Sequence, residues 1–215
     1  MSGEELRMFK RSWFWDRLAK RYAGMPIPDQ ASYEAKLEKT RTFLRPDSRV
    51  LEFGCGTAST AILHAPHVAL IHAIDYSPRM LEIARAKATA AGVSNLSFAQ
   101  ATLAELDSPP DSWDVILGMS ILHLLPDRLQ TLARVHELLK PGGLFISSTI
   151  CIGDAAWQMR VLAPLLRALP LLPSIASLSL GQLKGELVRA GFKIEECWRP
   201  GANKAALIVA RKRVR

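Results

Sequence analysis

Ten residues, Arg49 to Ala58 in the order RVLEFGCGTA, narrow the folds open to this chain more than any other stretch does. The run Val50-Leu51-Glu52-Phe53 is apolar and β-prone, and it breaks at Gly54-Cys55-Gly56-Thr57-Ala58 into a helix-forming segment, Thr57 to Ala65. That order predicts a strand, a tight turn and the start of a helix. Gly54 and Gly56 can take positive φ and bring backbone close to a ligand with no Cβ in the way. Glu52 carries a carboxylate to the carboxyl end of the strand, and the free N–H groups of the helix are expected to face an anionic group of the ligand. A second apolar run, Val68 to Ile74, ends in Asp75. This acid lies about 20 residues beyond the first glycine, the spacing at which a neighbouring parallel strand offers a carboxylate to ribose hydroxyls. Two strand ends therefore converge on one nucleoside-like ligand.

The rest of the chain alternates in the same manner. Helical spacing runs through Phe9 to Ala23, Ser32 to Leu44, from the Ser77-Pro78 start to Gly92, Asp127 to Lys140 before Pro141-Gly142-Gly143, and Gly181 to Gly191. Strand patterns fall at Leu96 to Gln100, Trp113 to Gly118, Leu144 to Thr149, Phe192 to Arg199 and Ala205 to Arg211. The pattern is α/β with a mostly parallel sheet, closed by an antiparallel last strand. In the first helix, Trp13 and Phe14 are expected to pack onto the sheet.

With 215 residues the chain fits one domain, with a helical amino-terminal lid (1–45), a cofactor-binding core (46–150), a variable apolar cap (151–180) and a closing helix and strand pair (181–215). Charges throughout the first 22 residues argue against a secretory leader, and three scattered cysteines give neither a disulfide framework nor metal-ligand spacing, so a cytoplasmic setting is expected. His64 and His67, flanking Pro66, read as helix-end or surface residues, not ligands. The net charge of +8 gathers at the two ends, which suits solvated termini or peripheral contact with an acidic lipid surface. The leucine-rich stretch 161–180 contains Arg167 and prolines 164, 170 and 173, which argue against a membrane span.

VLEFGCGTA (50–58), AIDYSPRMLEIARAKA (73–88) and LLKPGGLFISST (138–149) resemble the successive motifs of the class I S-adenosylmethionine-dependent methyltransferases, particularly the small-molecule, type 11-like branch. The resemblance covers nearly the whole chain. It implies a Rossmann-like, doubly wound seven-stranded sheet, S-adenosyl-L-methionine as cofactor, S-adenosyl-L-homocysteine as product and a small, lipophilic methyl acceptor. It also implies cofactor contacts from Tyr22 in the amino-terminal helix, from Glu52, Gly54, Cys55, Gly56 and Thr57 in the first turn, from Asp75, Tyr76 and Met80, from Thr102 and Leu103 near adenine, and from Met119 after the fourth strand. Met80 reads equally well as helix core. The family usually has glycine where this chain has Ala58, and a methyl group there is tolerable if the residue is already helical. No NPPY-like run follows the fourth strand, which argues against a nucleic-acid acceptor.

His123 follows that strand at the carboxyl edge of the sheet, where ligands of open α/β folds bind, and is the candidate base for an acceptor that must lose a proton. The alternative is a histidine satisfied by loop backbone. Two other functional classes fit parts of the pattern. A nicotinamide-dependent oxidoreductase shares the turn and Asp75, but its fingerprint wants glycine where Ser59 stands; a non-catalytic S-adenosylmethionine- or nucleoside-binding protein is permitted by Ala58 and Thr102.

Overall fold

The computed structural model describes residues 3–154 and 178–214, with side chains from residue 12 onward in the first helix. Most of the 151–180 segment expected to form a cap lies outside the described residues. Seven strands hydrogen-bond in the order β3-β2-β1-β4-β5-β7-β6, and six helices accompany them among the described residues. The chain divides into two compact units, Met1–Leu106 and Asp107–Arg215.

In the first unit, β1 (Arg49–Phe53), β2 (Leu70–Asp75) and β3 (Leu96–Gln100) are parallel, with Glu52 opposite Ala73 and Asp75 opposite Gln100. Parallel neighbours require crossovers, supplied by α3 (Ser59–His64) and α4 (Pro78–Ala90). From Val50 onward β1 is closed off from solvent, as is the end of β2, as expected of strands covered on two faces. Helices α1 (Gly3–Gly24) and α2 (Gln30–Arg41) precede the sheet. Trp13 does not pack inward as expected: it is 48% exposed, and Arg17 lies over its ring at 5.5 Å. A guanidinium against an indole face gives the ring a partner at the surface.

His64, read from sequence as a helix-end or surface residue, is fully buried, and neither ring nitrogen has a hydrogen-bond partner. Burial, with the Arg41 charge nearby, lowers its pKa to about 4, so the ring is neutral at physiological pH.

In the second unit, β4 (Trp113–Met119) and β5 (Leu139–Thr149) are parallel, and β7 (Ala206–Lys212) runs antiparallel to both β5 and β6 (Phe192–Trp198). The short 199–205 connection explains the reversal, since a hairpin joins antiparallel strands without a crossover helix. Helix α5 (Arg128–Leu138) ends two residues earlier than the pattern to Lys140 predicts, because Leu139 already pairs with Trp113. Pro141-Gly142-Gly143 then lies within β5, in the irregular stretch before Leu144 pairs with Val115. Helix α6 (Leu180–Arg189) opens with a capping box between Ser179 and Gln182, and its Glu186 receives both Arg128 Nε and Nη2 at 3.0 Å.

Candidate active site

The turn after β1 is built on alternate left-handed residues: Gly54, Gly56 and Ala58 have φ of 63°, 54° and 57°. A Cβ built on Gly56 meets nothing within 4 Å, so the turn leaves open space beside its backbone. Ala58 corrects the sequence reading. It is not helical but precedes α3 in the left-handed region, fully buried, and α3 begins at Ser59 instead of Thr57. A left-handed L-residue costs about 1–2 kcal/mol, which explains the family's preference for glycine. Ala58→Gly removes that strain but adds freedom to the unfolded chain, so we expect a net gain of about 0.5–1 kcal/mol, a rise of roughly 1–4 °C in Tm by differential scanning calorimetry. A lower Tm would contradict the assignment of strain.

Asp75 is fixed by backbone. Its Oδ2 accepts the Gly56 N–H at 2.9 Å and its Oδ1 accepts the Ser77 N–H at 2.9 Å. Burial raises its pKa, and these N–H groups oppose the rise by favouring the carboxylate. Ser77 caps α4 by accepting the Met80 N–H at 3.1 Å, while its own hydroxyl donates to Asp16 Oδ1 at 2.6 Å. Asp16 therefore ties α1 to the start of α4, a link across 61 residues that no spacing rule could reveal.

Glu52 is 2% exposed, and its Oε2 has no hydrogen-bond partner. Burial and then the charge of Asp75 raise its pKa to about 8. Cys55 is buried beside both acids, and burial and their charges push its thiol well above the usual range. Tyr22 is 46% exposed, yet partial burial of its phenol and the charge of Asp75 raise its pKa; its ring meets Trp15 edge-on at 6.2 Å. Tyr22, Glu52, Cys55, Gly56 and Asp75 thus belong to one electrostatic neighbourhood. Tyr33, which the sequence pattern marks only as a helix position, joins it: burial raises its phenol, a Thr60 side-chain hydrogen bond opposes the rise, and the Glu52 charge adds to it.

The remaining expected contacts are placed as follows. Thr57 is buried and Tyr76 half-buried, its carbonyl accepting Gln100 Nε2 at 3.3 Å. Met80 is closed into the core of α4. Leu103 is buried, and the Thr102 hydroxyl is engaged locally, donating to Glu105 Oε2 at 2.8 Å. In the second unit, Met119 ends β4, half-buried, and the next residue, Ser120, takes a φ of 56° with its N–H donated to the Ser148 carbonyl. His123 sits in a single 3₁₀ turn, Leu122–Leu124, buried, with Nδ1 unpartnered and a pKa lowered by burial to about 4.

These residues fit an adenosyl amino-acid cofactor. An orphaned carboxylate oxygen suits an ammonium, a fixed carboxylate retains lone pairs for ribose hydroxyls, and a glycine turn leaves room beside its backbone. Comparison with known proteins points the same way. Residues 50–143 match the methyltransferase domain family. Over 102 residues the chain is 33% identical to an uncharacterized methyltransferase, YcgJ, of Bacillus subtilis, covering 47% of this chain and 40% of that protein. It is 33% identical over 116 residues to a ubiquinone biosynthesis O-methyltransferase of Serratia proteamaculans (54% of this chain, 48% of that one). It is 32% identical over 99 residues to a demethylmenaquinone methyltransferase of Listeria monocytogenes (45% and 42%). The aligned stretch spans less than half the length of each of these three relatives. The crystal structure of YcgJ superposes with a TM-score of 0.68 at 20% identity, covering 84% of this chain and 99% of that one, a likeness of fold. The strand order and the acid-bracketed glycine turn agree with the methyltransferase domain family that residues 50–143 match.

Proposed function

We propose that the chain transfers a methyl group from S-adenosylmethionine to a small, lipophilic acceptor, working as one methyltransferase domain in the cytoplasm. The observation that carries this reading is the pair of buried strand-end acids, Glu52 and Asp75, the second of which accepts the Gly56 N–H of the glycine turn. Asp75 would hold the ribose hydroxyls, Glu52 the ammonium, and Tyr22 would close over the site from α1, with Tyr76, Met80, Thr102 and Leu103 around adenine. The cofactor supplies an electrophilic methyl group on a sulfonium. The chain's contribution is to fix donor and acceptor in line and to exclude water.

His123 is the residue proposed to meet the acceptor. With a pKa of about 4 it is neutral at physiological pH, and its unpartnered Nδ1 can accept a hydrogen bond from an acceptor hydroxyl. Such a weak base orients and polarises that hydroxyl better than it removes the proton outright. The Serratia relative is named for ubiquinone biosynthesis and the Listeria relative for demethylmenaquinone, which supports a lipophilic quinone-type ring as acceptor class. No helix among the described residues is long and apolar enough to cross a membrane, so such an acceptor would be met by peripheral contact.

Titration calorimetry with S-adenosylmethionine, followed by mass spectrometry of a panel of catechols and hydroquinones, tests the proposal. Cofactor binding with methylation of a panel member is expected. Tight binding with no transfer to any acceptor would favour a non-catalytic nucleoside-binding protein, and no binding would overturn the reading.

A further inference from the structure

Two buried polar atoms of the first unit lack a hydrogen-bond partner of good geometry, and the charge of one bears on the other. Glu52 Oε2, at the end of β1, accepts no hydrogen bond, and the Tyr33 hydroxyl, from α2, is sealed from solvent without a partner of normal geometry. Burial raises the Tyr33 phenol, a side-chain hydrogen-bonding contact with Thr60 opposes that rise, and Glu52 and Tyr22 add to the rise. Glu52 itself feels Asp75. A buried hydroxyl left unpaired is costly, and native structures rarely keep one without a reason.

The two orphans have opposite needs. A carboxylate oxygen accepts, whereas a phenol can donate. An α-amino acid zwitterion offers the complement of both, an ammonium that donates and a carboxylate that accepts. We propose that Tyr33 is a cofactor-binding residue: its hydroxyl donates to the carboxylate of the cofactor's amino-acid end, beside Glu52, which receives the ammonium. This inference rests on the S-adenosylmethionine reading and adds to it a residue on a helix that carries no motif. It also gives α2 a role, since the helix that presents Tyr33 is positioned by its Asp29 cap, whose side chain accepts the Ser32 N–H, and by Leu37 and Thr40 in the core.

The test compares wild type with Tyr33→Phe by titration calorimetry at pH 8.5, using S-adenosylhomocysteine, which keeps the amino-acid end, and 5′-methylthioadenosine, which lacks it. The expected result is a roughly tenfold loss of affinity for S-adenosylhomocysteine, no more than about a twofold change for methylthioadenosine, and a ligand-free melting temperature little changed, because the hydroxyl's contact with Thr60 lacks good hydrogen-bond geometry. Unchanged affinity for S-adenosylhomocysteine would overturn the proposal. Equal losses for both ligands would overturn it as well, placing Tyr33 elsewhere in the site, and a lowered melting temperature with intact affinities would make the hydroxyl structural. Failure of the wild-type protein to bind either ligand would remove the cofactor reading itself, an outcome distinct from a failure confined to the variant.

Discussion

Replacing Asp75 by asparagine is expected to weaken S-adenosylhomocysteine binding at least about 100-fold and to lower stability by roughly 1–3 kcal/mol. The carboxylate holds two backbone donors, one on each oxygen. An amide can satisfy only one of them and presents its NH2 group to the other, at Gly56 or at Ser77. The buried N–H facing that group loses its acceptor, and the turn that Gly56 shapes loses its tie to the end of β2. Ribose recognition suffers for the same reason, since the proposed acceptor for the hydroxyls has lost its charge and one of its two oxygens. The two effects are separable: calorimetry reports the ligand, and chemical denaturation of the free protein reports the strain. An affinity within about threefold of wild type would show that Asp75 supports the turn without touching the ligand.

Glu52→Gln is expected to change the pH dependence of both stability and binding. The Glu52 pKa is raised by burial, and by Asp75, from 4.5 to about 8. The native state therefore holds a proton that the unfolded chain has released, and the stability associated with this group is complete below about pH 4.5 and is lost as pH rises to about 8. A shift of this size sets a ceiling of about 4–5 kcal/mol, and local relaxation around the carboxylate reduces what is observed. Glutamine, the neutral isostere, lacks that slope, so the variant should match wild type near pH 5 and exceed it in stability at pH 8.5. Binding should move in the opposite direction. A cationic cofactor needs the ionised carboxylate, so wild-type affinity should rise with pH and level off above about pH 8, with protons released on binding below that pH. The variant should bind more weakly at pH 8.5 and show no such rise. Urea denaturation at several pH values, with calorimetry in buffers of different ionisation enthalpy to count protons, gives both readouts. Parallel pH profiles for the two proteins would mean that Glu52 is already ionised in the free state.

Much of this architecture is legible from residue order. Strand and helix periods, the glycine turn and the position of Asp75 depend on neighbours a few residues apart, and they survive in the structure with small shifts at element ends. The shifts have local causes that the pattern does not carry. Leu139 leaves α5 because its β-pairing with Trp113 takes precedence over helical spacing, and Thr57 and Ala58 stay in the turn because the chain reverses before α3 can begin. Ala58 shows the limit well. Its side chain is a good helix former, yet the backbone between β1 and α3 imposes a left-handed conformation that only the closed turn requires.

The sequence by itself determined the order of elements and the place of two acids, Glu52 and Asp75, at neighbouring strand ends, because those rest on spacing along one strand–turn–helix unit and its repeat. Only the tertiary structure decided what surrounds the acids. Asp16 reaches Ser77 across 61 residues, His64 stands at a helix end as the pattern allows but lies sealed inside, and Tyr33 comes under the influence of Glu52. Each of these depends on how helices dock against the sheet, and burial, which turns a carboxylate into an acid of pKa about 8, arises from that docking and not from any pattern of letters.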